Sequence, residues 1–251
     1  MKRKRGQALL SKNIYKEGSD PFLDPFLILK LLEKENGAPR KFRKTPPVDE
    51  LIRTILSQNT SDSNSIPAFN RLKKHFKAWD KVLEARTGEI ARLIKHGGLE
   101  NMKAERIKAA LAEIKKREGR INLANLTRLD VGEATRYLRS LKGVGPKTAA
   151  CVLLFSFRKP VMPVDTHIFR VAKRLGIISK DLSIEEAHEV LTHKVPKDLI
   201  YRFHLGIIEH GRRTCKSQNP RCGSCVLSRR RLCLWRDPAK HEVRPAGYEL
   251  S

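Results

Sequence analysis

The stretch that decides the fold is LKGVGPKTAA, which occupies residues 141–150. Its two glycines, Gly143 and Gly145, let the backbone turn tightly and approach a ligand closely. Pro146 suits the first position of a helix, where its missing N–H needs no partner. Apolar residues recur at helical spacing on both sides of the turn: Tyr137, Leu138 and Leu141 before it, and Ala149, Val152, Leu153 and Phe155 after it. The stretch therefore predicts two helices joined by a glycine hairpin.

The start of the second of these helices has the chemistry of an anion site. The first amides of a helix lack intrahelical acceptors, and the positive end of the helix dipole adds to their attraction for phosphate. Lys147 lies in this first turn. On the residues alone it is either a simple phosphate contact or, because the dipole disfavours a further positive charge, an amine available as a nucleophile. A hairpin with a purely structural role is the third interpretation.

The charge of the chain points to a polyanionic partner. Among 251 residues, 52 are Lys or Arg and 27 are Asp or Glu, which gives a formal net charge of +25. Such an excess favours nucleic acid, with a membrane surface as the rival. No apolar run approaches the roughly 18–20 residues that span a bilayer. No apolar segment follows the basic residues 1–5, so the start is unlike a secretory signal. We expect no association with membranes.

Helical periodicity dominates the rest of the sequence, and strand signals are almost absent. Apolar spacing predicts helices over 49–57, 61–76, 78–86, 88–95, 101–118, 130–140, 146–157, 166–175, 183–193 and 198–210. Glycines and prolines separate these segments, among them Gly119, Gly176 and Pro196. The sequence thus predicts an all-α protein of about ten helices, with a core drawn from the 40% of residues that are apolar.

A second chemical signal is the segment PVDTHIFR, residues 163–170, which opens the predicted helix over 166–175. Asp165 is well placed to accept a hydrogen bond from the first amides of that helix, as an N-cap. It follows Lys147 by 18 residues. A carboxylate can also stabilise positive charge that develops in a transition state. The two roles are compatible, because a cap leaves the carboxylate its charge.

Together, the hairpin and the aspartate segment resemble the helix–hairpin–helix superfamily of DNA glycosylases that includes endonuclease III, over about residues 25–236. The resemblance implies two helical lobes with a DNA-binding cleft between them. It implies that Gly143 and Gly145 grip a DNA phosphate, often with a monovalent cation at the hairpin carbonyls. It also implies that Lys147 attacks the sugar C1′, and that Asp165 is the catalytic aspartate.

Four of the five cysteines form the motif Cys215-x6-Cys222-x2-Cys225-x7-Cys233, and the fifth, Cys151, fits an apolar helix face. Without an export signal, such spacing favours a metal over disulfides. The residues alone leave Zn²⁺ and an iron–sulfur cluster open. The resemblance favours a structural [4Fe–4S] cluster, for which the family spacing is x6, x2, x5. The last interval is two residues longer here and is rich in arginine.

Two loops resemble those with which the family enters DNA from the minor groove. Residues 57–62, SQNTSD, offer Gln58 or Asn59 to fill the gap left by a flipped base, and Asp62 as a cap or a DNA contact. In the second loop, Leu99 would wedge into the base stack. Taken without the resemblance, the first loop is a polar helix connection and Leu99 is an ordinary exposed leucine.

The resemblance also suggests a domain organisation. We expect one lobe at 43–157 and a second at 21–42 plus 158–236, which holds the cysteines. A mobile basic tail is expected over 1–20 and a C-terminal tail over 237–251. Lys147 and Asp165 would then face each other across the cleft between the lobes.

The implied function is that of a bifunctional DNA glycosylase and AP lyase of base excision repair. It would remove damaged bases, oxidised pyrimidines in particular, and cut the strand by β-elimination. The alternatives are a mismatch-directed or monofunctional glycosylase, and a non-catalytic DNA-binding protein on the same scaffold. We expect a monomer that acts on double-stranded DNA with a damaged base or an abasic site. Its expected location is intracellular and DNA-associated, in the cytoplasm or nucleoid, or in the nucleus of a eukaryote.

Overall fold

The computed structural model describes residues 24–39, 41–95 and 98–235, and all regular secondary structure in these ranges is helical. In chain order the α-helices are α1 (Pro25–Asn36), α2 (Pro47–Leu56), α3 (Asp62–Phe76), α4 (Trp79–Glu84), α5 (Thr87–Leu93), α6 (Glu100–Glu118), α7 (Val131–Arg139), α8 (Pro146–Phe157), α9 (Thr166–Leu175), α10 (Ile184–Lys194), α11 (Ile200–Arg213) and α12 (Val226–Arg229). The all-α prediction is confirmed. The tails predicted at 1–20 and 237–251 lie outside the described residues.

The buried apolar side chains form two separate cores. The first is built by α2 to α7 and the first half of α8, with Ile55, Ile107 and Leu111 at its centre. The second combines α1 with the chain from Leu154 onward, and includes Phe203. The lobe boundaries expected from the sequence stay a prediction, which this division into two cores supports.

Helix α8 lies at the junction of the two cores. Its residues Ala149, Val152 and Leu153 pack into the first core, whereas Leu154 packs into the second. Helix α2 packs along it, and the backbone N–H of Thr45 donates to the carbonyl oxygen of Phe155 at 3.1 Å. A helix that is apolar on all sides is expected to be buried in this way. Helix α8, whose first turn carries Lys147, is therefore held by both cores.

Helix α1 is the longest element that the sequence analysis missed. Asp24 caps it by accepting from the backbone N–H of Phe26, and Pro25 occupies its first position. Its buried residues, Ile28, Leu29 and Leu32, recur at helical spacing, so the signal was present in the sequence. None of the described helices is both long enough and apolar enough to cross a membrane.

Candidate active site

The predicted hairpin connects α7 to α8. Gly143 adopts a φ of 81°, a left-handed conformation that residues with side chains disfavour. A Cβ atom at this position would also lie 2.7 Å from side-chain carbons of Arg106. Gly145 is the N-cap of α8 and Pro146 its first residue, and no side chain caps the amides of the first turn. The hairpin thus keeps backbone donors available beside the half-buried Lys147.

Gln58 braces this hairpin from the loop after α2. Its Nε2 donates to the carbonyl oxygen of Gly143 at 3.1 Å and to Oγ1 of Thr148 at 3.3 Å. Its Oε1 accepts from the guanidinium of Arg106 at 2.7 Å. Asn59, by contrast, is exposed and has a left-handed φ of 51°. Of the two residues predicted to fill the gap left by a flipped base, Asn59 is the one whose side chain projects from the surface.

A buried lysine ties together the two loops predicted to enter DNA. Lys103 is only 1% exposed, and its Nζ donates to the carbonyl oxygen of Leu56, at the end of α2, at 2.8 Å. Burial lowers the pKa of this amine. Because Lys103 lies in the first turn of α6, the bond fixes the start of that helix beside residues 57–61. Leu99, the residue just before α6, is 49% exposed and has a left-handed φ of 54°. Such a strained, exposed leucine is consistent with a wedge.

Asp62 is the first residue of α3 rather than its cap, which is Ser61. Its carboxylate lies 2.8 Å from the guanidinium of Arg212, near the end of α11. The ion pair therefore joins the loop after α2 to the helix that leads into the cysteine motif. Both side chains are about half exposed, so the pair contributes little to stability. The DNA-binding role expected for Asp62 stays a prediction.

Asp165 is the N-cap of α9, as the sequence predicted. Its Oδ1 accepts from the backbone N–H of Ile168 at 2.8 Å. Asp165 and Lys147 both act electrostatically on His204: burial lowers the pKa of this imidazole to about 4, with Asp165 raising it and Lys147 lowering it further. The same two charges act on the thiol of Cys151, whose pKa burial raises to about 11. Lys147 and Asp165 therefore both lie within electrostatic reach of His204 and Cys151.

The four motif cysteines line a single cavity between α9, the end of α11 and the following loop. Burial raises the pKa of Cys225 and raises that of Cys233 to about 11, whereas metal ligation uses the thiolate form. Within the described residues, no three His, Cys, Asp or Glu side chains form a ready-made site for one metal ion. The shared cavity fits a metal centre held by these four cysteines.

The longer last interval of the motif is accommodated locally. It forms the short helix α12 and then turns through Arg231, which has a left-handed φ of 58°. Beyond Cys233, the side chain of Leu234 lies so close to Gly176 that a Cβ atom there would clash. These contacts bring Cys233 to the cavity despite the two additional residues. Because α12 and the turn at Arg231 take up the additional residues, the longer interval between Cys225 and Cys233 is tolerated.

Helix α9 also organises the cysteine loop. The guanidinium of Arg174 donates to Sγ of Cys215 at 3.3 Å and to the carbonyl oxygens of Lys216 and Ser217 at 2.6 Å and 3.1 Å. It lies over the ring of Trp235, 4.4 Å from the centroid. Helix α9 therefore has Asp165 at its start and, near its end, Arg174, which supports the cysteine cavity.

Comparison with known proteins agrees with this geometry. A family profile described as HhH-GPD superfamily base excision DNA repair protein matches residues 52–197, which include the hairpin, Lys147 and Asp165. The chain belongs to the HhH-GPD superfamily. An endonuclease III of Thermotoga maritima is 36% identical to this HhH-GPD chain over 207 residues, which cover 82% of the chain and 92% of the relative. The chain is thus a base excision DNA repair protein.

A second sequence relative and a solved structure extend the comparison. A putative DNA glycosylase of Arabidopsis thaliana is 40% identical over 165 residues, and the chain spans little more than half of its length, 56%. A solved structure of a trapped endonuclease III–DNA covalent intermediate superimposes with a TM-score of 0.70 at 29% identity, covering 83% of this chain and 93% of that one. The HhH-GPD fold therefore extends over most of the described residues.

The residues that the sequence analysis missed are those that brace this HhH-GPD site. Arg106 and Lys103 hold the loops, and His204 is a buried residue on which the charges of Lys147 and Asp165 act. The sequence did contain one signal. Lys103 falls in the buried stripe of α6, next to Ala104, and contacts the end of α2. A charged residue within a buried helical stripe indicates a specific partner.

Proposed function

We propose that the chain is a bifunctional DNA glycosylase and AP lyase of base excision repair, with Lys147 as nucleophile. The observation that carries the proposal is the position of Lys147 in the uncapped first turn of α8, in the same neighbourhood as Asp165. The relatives named endonuclease III, one of them solved as a covalent intermediate with DNA, support the assignment.

The reaction begins with attack of the Lys147 Nζ lone pair on the sugar C1′. The N-glycosidic bond breaks, and the base leaves with its electron pair and takes up a proton, while Asp165 stabilises the positive charge that develops on the sugar. Opening of the sugar ring gives a protonated imine between Nζ and C1′. Loss of a C2′ proton then breaks the C3′–O bond, which cuts the strand 3′ to the lesion. Water finally releases Lys147 from the product.

Double-stranded DNA is the proposed partner of the cleft. Gly143 and Gly145 would present their backbone amides to a phosphate beside the lesion, with Asn59 filling the vacated base position and Leu99 wedging into the stack. The net charge of +25 adds affinity that falls as salt rises. A monovalent cation at the hairpin would be held by its backbone carbonyl oxygens.

Oxidised pyrimidines are the proposed substrate class, and a nicking assay on duplexes with single lesions tests it. The panel contains a thymine glycol, an 8-oxoguanine, a G·T mismatch, an abasic site and an undamaged control. We expect release and nicking at thymine glycol to exceed those at 8-oxoguanine and at the mismatch by at least about tenfold. Preference for the mismatch would favour the mismatch-directed alternative. Nicks that require alkali would indicate a monofunctional enzyme, and tight binding without any product a non-catalytic protein.

We also propose that Cys215, Cys222, Cys225 and Cys233 hold a structural [4Fe–4S] cluster. The shared cavity, and the two arginines of α9 that approach Cys215, support this ligand set. When bound, such a cluster would supply negative charge and cross-links that order the loop. Arg170 reinforces the loop by donating to the carbonyl oxygens of Cys215 and Gly211 at 3.0 Å and 2.9 Å.

Removal of the last cysteine tests the cluster and its altered spacing. The wild-type protein purified without oxygen is expected to be brown and to contain about four irons per chain. Cys233→Ala should lose most of the iron and the visible absorbance, because one of four ligands is gone. Cys151→Ala is the matched control: this thiol is buried in α8, away from the cavity, and its loss should leave the iron content unchanged. A colourless wild type that binds zinc would reject the cluster.

A further inference from the structure

The three residues before Asp165 form a buried connection that side chains from two other helices hold in place. We call residues 162–164 the strap. The backbone N–H of Met162 donates to Oγ1 of Thr192 at 2.9 Å. Nδ1 of His188 lies 3.0 Å from the carbonyl oxygen of Met162 and 3.3 Å from the backbone nitrogen of Val164, and bonds to one of them according to its tautomer. Helix α10 thus holds one side of the strap.

His204 of α11 holds the other side. Its Nδ1 lies 3.1 Å from the carbonyl oxygen of Pro163. Since a carbonyl oxygen only accepts, Nδ1 must carry the proton and donate. The ring is 3% exposed and meets the ring of Phe155 edge to face, with centroids 5.5 Å apart. Phe155 belongs to α8, the helix that begins with Lys147. His204 therefore connects the helix of the nucleophile to the strap that ends in Asp165.

We propose that His204 is a positioning residue for base removal, because its bond to Pro163 sets where the strap places Asp165 relative to Lys147. The inference rests on the function proposed above. The bond of Asp165 to Ile168 anchors the carboxylate only on the side of α9. On the side of the strap, Thr192 and His188 hold the backbone of Met162 and Val164, and His204 holds the carbonyl oxygen of Pro163. Without the donor, the buried carbonyl would be left unsatisfied, and the strap would move to find another partner.

Two substitutions, one that keeps a hydrogen-bond donor and one that removes it, separate positioning from packing. In His204→Asn, the side-chain Nδ2 can take the place of Nδ1 and donate to Pro163. In His204→Leu, the volume is largely kept and the donor is lost. A misplacement of about 1 Å at a reacting centre can cost about 100-fold in rate, so His204→Leu should lower the single-turnover rate of base removal by about 10- to 100-fold. His204→Asn should stay within about threefold of the wild type, because the bond is restored.

DNA affinity is a second readout. A general loss of packing would weaken DNA binding, whereas a loss of positioning alone would not. The dissociation constant for a duplex with a non-cleavable abasic-site analogue should stay within about threefold of the wild-type value in both variants, because neither touches DNA. Phe203→Leu is the matched control, since Phe203 is the adjacent buried residue of α11. It should lower the midpoint of thermal unfolding while leaving the single-turnover rate at 25 °C unchanged.

The outcomes distinguish this inference from the proposed function. An active wild type with equal rates for His204→Leu and His204→Asn would overturn the positioning role alone. A wild type that releases no base from any damaged duplex would overturn the proposed function, and the positioning role with it. If His204→Leu does not fold, His204→Gln decides in its place. Its amide nitrogen reaches one bond too far, so its rate must fall well below that of His204→Asn for the inference to stand.

Discussion

Replacement of Lys147 by Gln is expected to lower the rate of strand cleavage by a factor on the order of 1,000 or more, which is the scale of loss when an enzyme loses its nucleophile. The glutamine keeps a polar side chain of nearly the same length in the first turn of α8, but its amide nitrogen has no available lone pair to attack C1′. The measurement is a single-turnover time course on a duplex with one thymine glycol, followed by gel separation without alkali. Residual base release with no nick would identify a slow route through water.

Lys147→Arg provides the sharper control for this prediction. Arginine keeps the positive charge beside the hairpin and can contact a phosphate, but it stays protonated and does not act as a nucleophile. If Lys147 is the nucleophile, Lys147→Arg should be nearly as inactive as Lys147→Gln, while its affinity for an abasic-analogue duplex stays within about threefold of wild type. Substantial cleavage by Lys147→Arg would show that the lysine is only a phosphate contact.

The second large effect is expected for Asp165→Asn. Asparagine is as good an N-cap as aspartate, so its side chain can still accept from Ile168 and α9 should keep its start. Only the negative charge is removed. Groups that stabilise charge in a transition state contribute about 100- to 1,000-fold, so we expect a loss of that size in base removal. Single-turnover kinetics on the same thymine glycol duplex measures it.

Asp130→Asn is the matched control for the loss of charge at a cap. Asp130 is the N-cap of α7, where it accepts from the backbone N–H of Glu133 at 2.7 Å. The same change of chemistry at this exposed helix start should leave the rate of base removal unchanged. If Asp165→Asn were no slower than Asp130→Asn, the role of Asp165 would be confined to capping α9.

The parts of the site that could be predicted are those built from neighbours in sequence. The bounds predicted for α8 and α9, 146–157 and 166–175, match the structure, because Gly145-Pro146 and Asp165 are start signals that act locally. Lys147 and Asp165 owe their positions to these helix starts. The resemblance to the family, rather than this local chemistry, gave them catalytic roles, which the experiments above test.

The braces could not be predicted, because they join residues that are distant in sequence. Gln58 contacts Gly143, 85 residues away, and His204 contacts Pro163, 41 residues away. A single sequence reveals polar residues in these segments but not which backbone groups they will meet in the folded state. The sequence analysis therefore offered both Gln58 and Asn59 as side chains that could fill a gap in DNA. In the folded protein both ends of the Gln58 amide contact the protein itself, and Asn59 is left exposed in its place.

Borohydride trapping tests the central claim most directly. The wild-type protein is incubated with a thymine glycol duplex and sodium borohydride, which reduces an imine to a stable amine, and the cross-linked peptide is identified by mass spectrometry after proteolysis. We predict a covalent adduct at Nζ of Lys147 in the wild type and none in Lys147→Gln. An adduct at another amine, or trapping that persists in Lys147→Gln, would contradict the account.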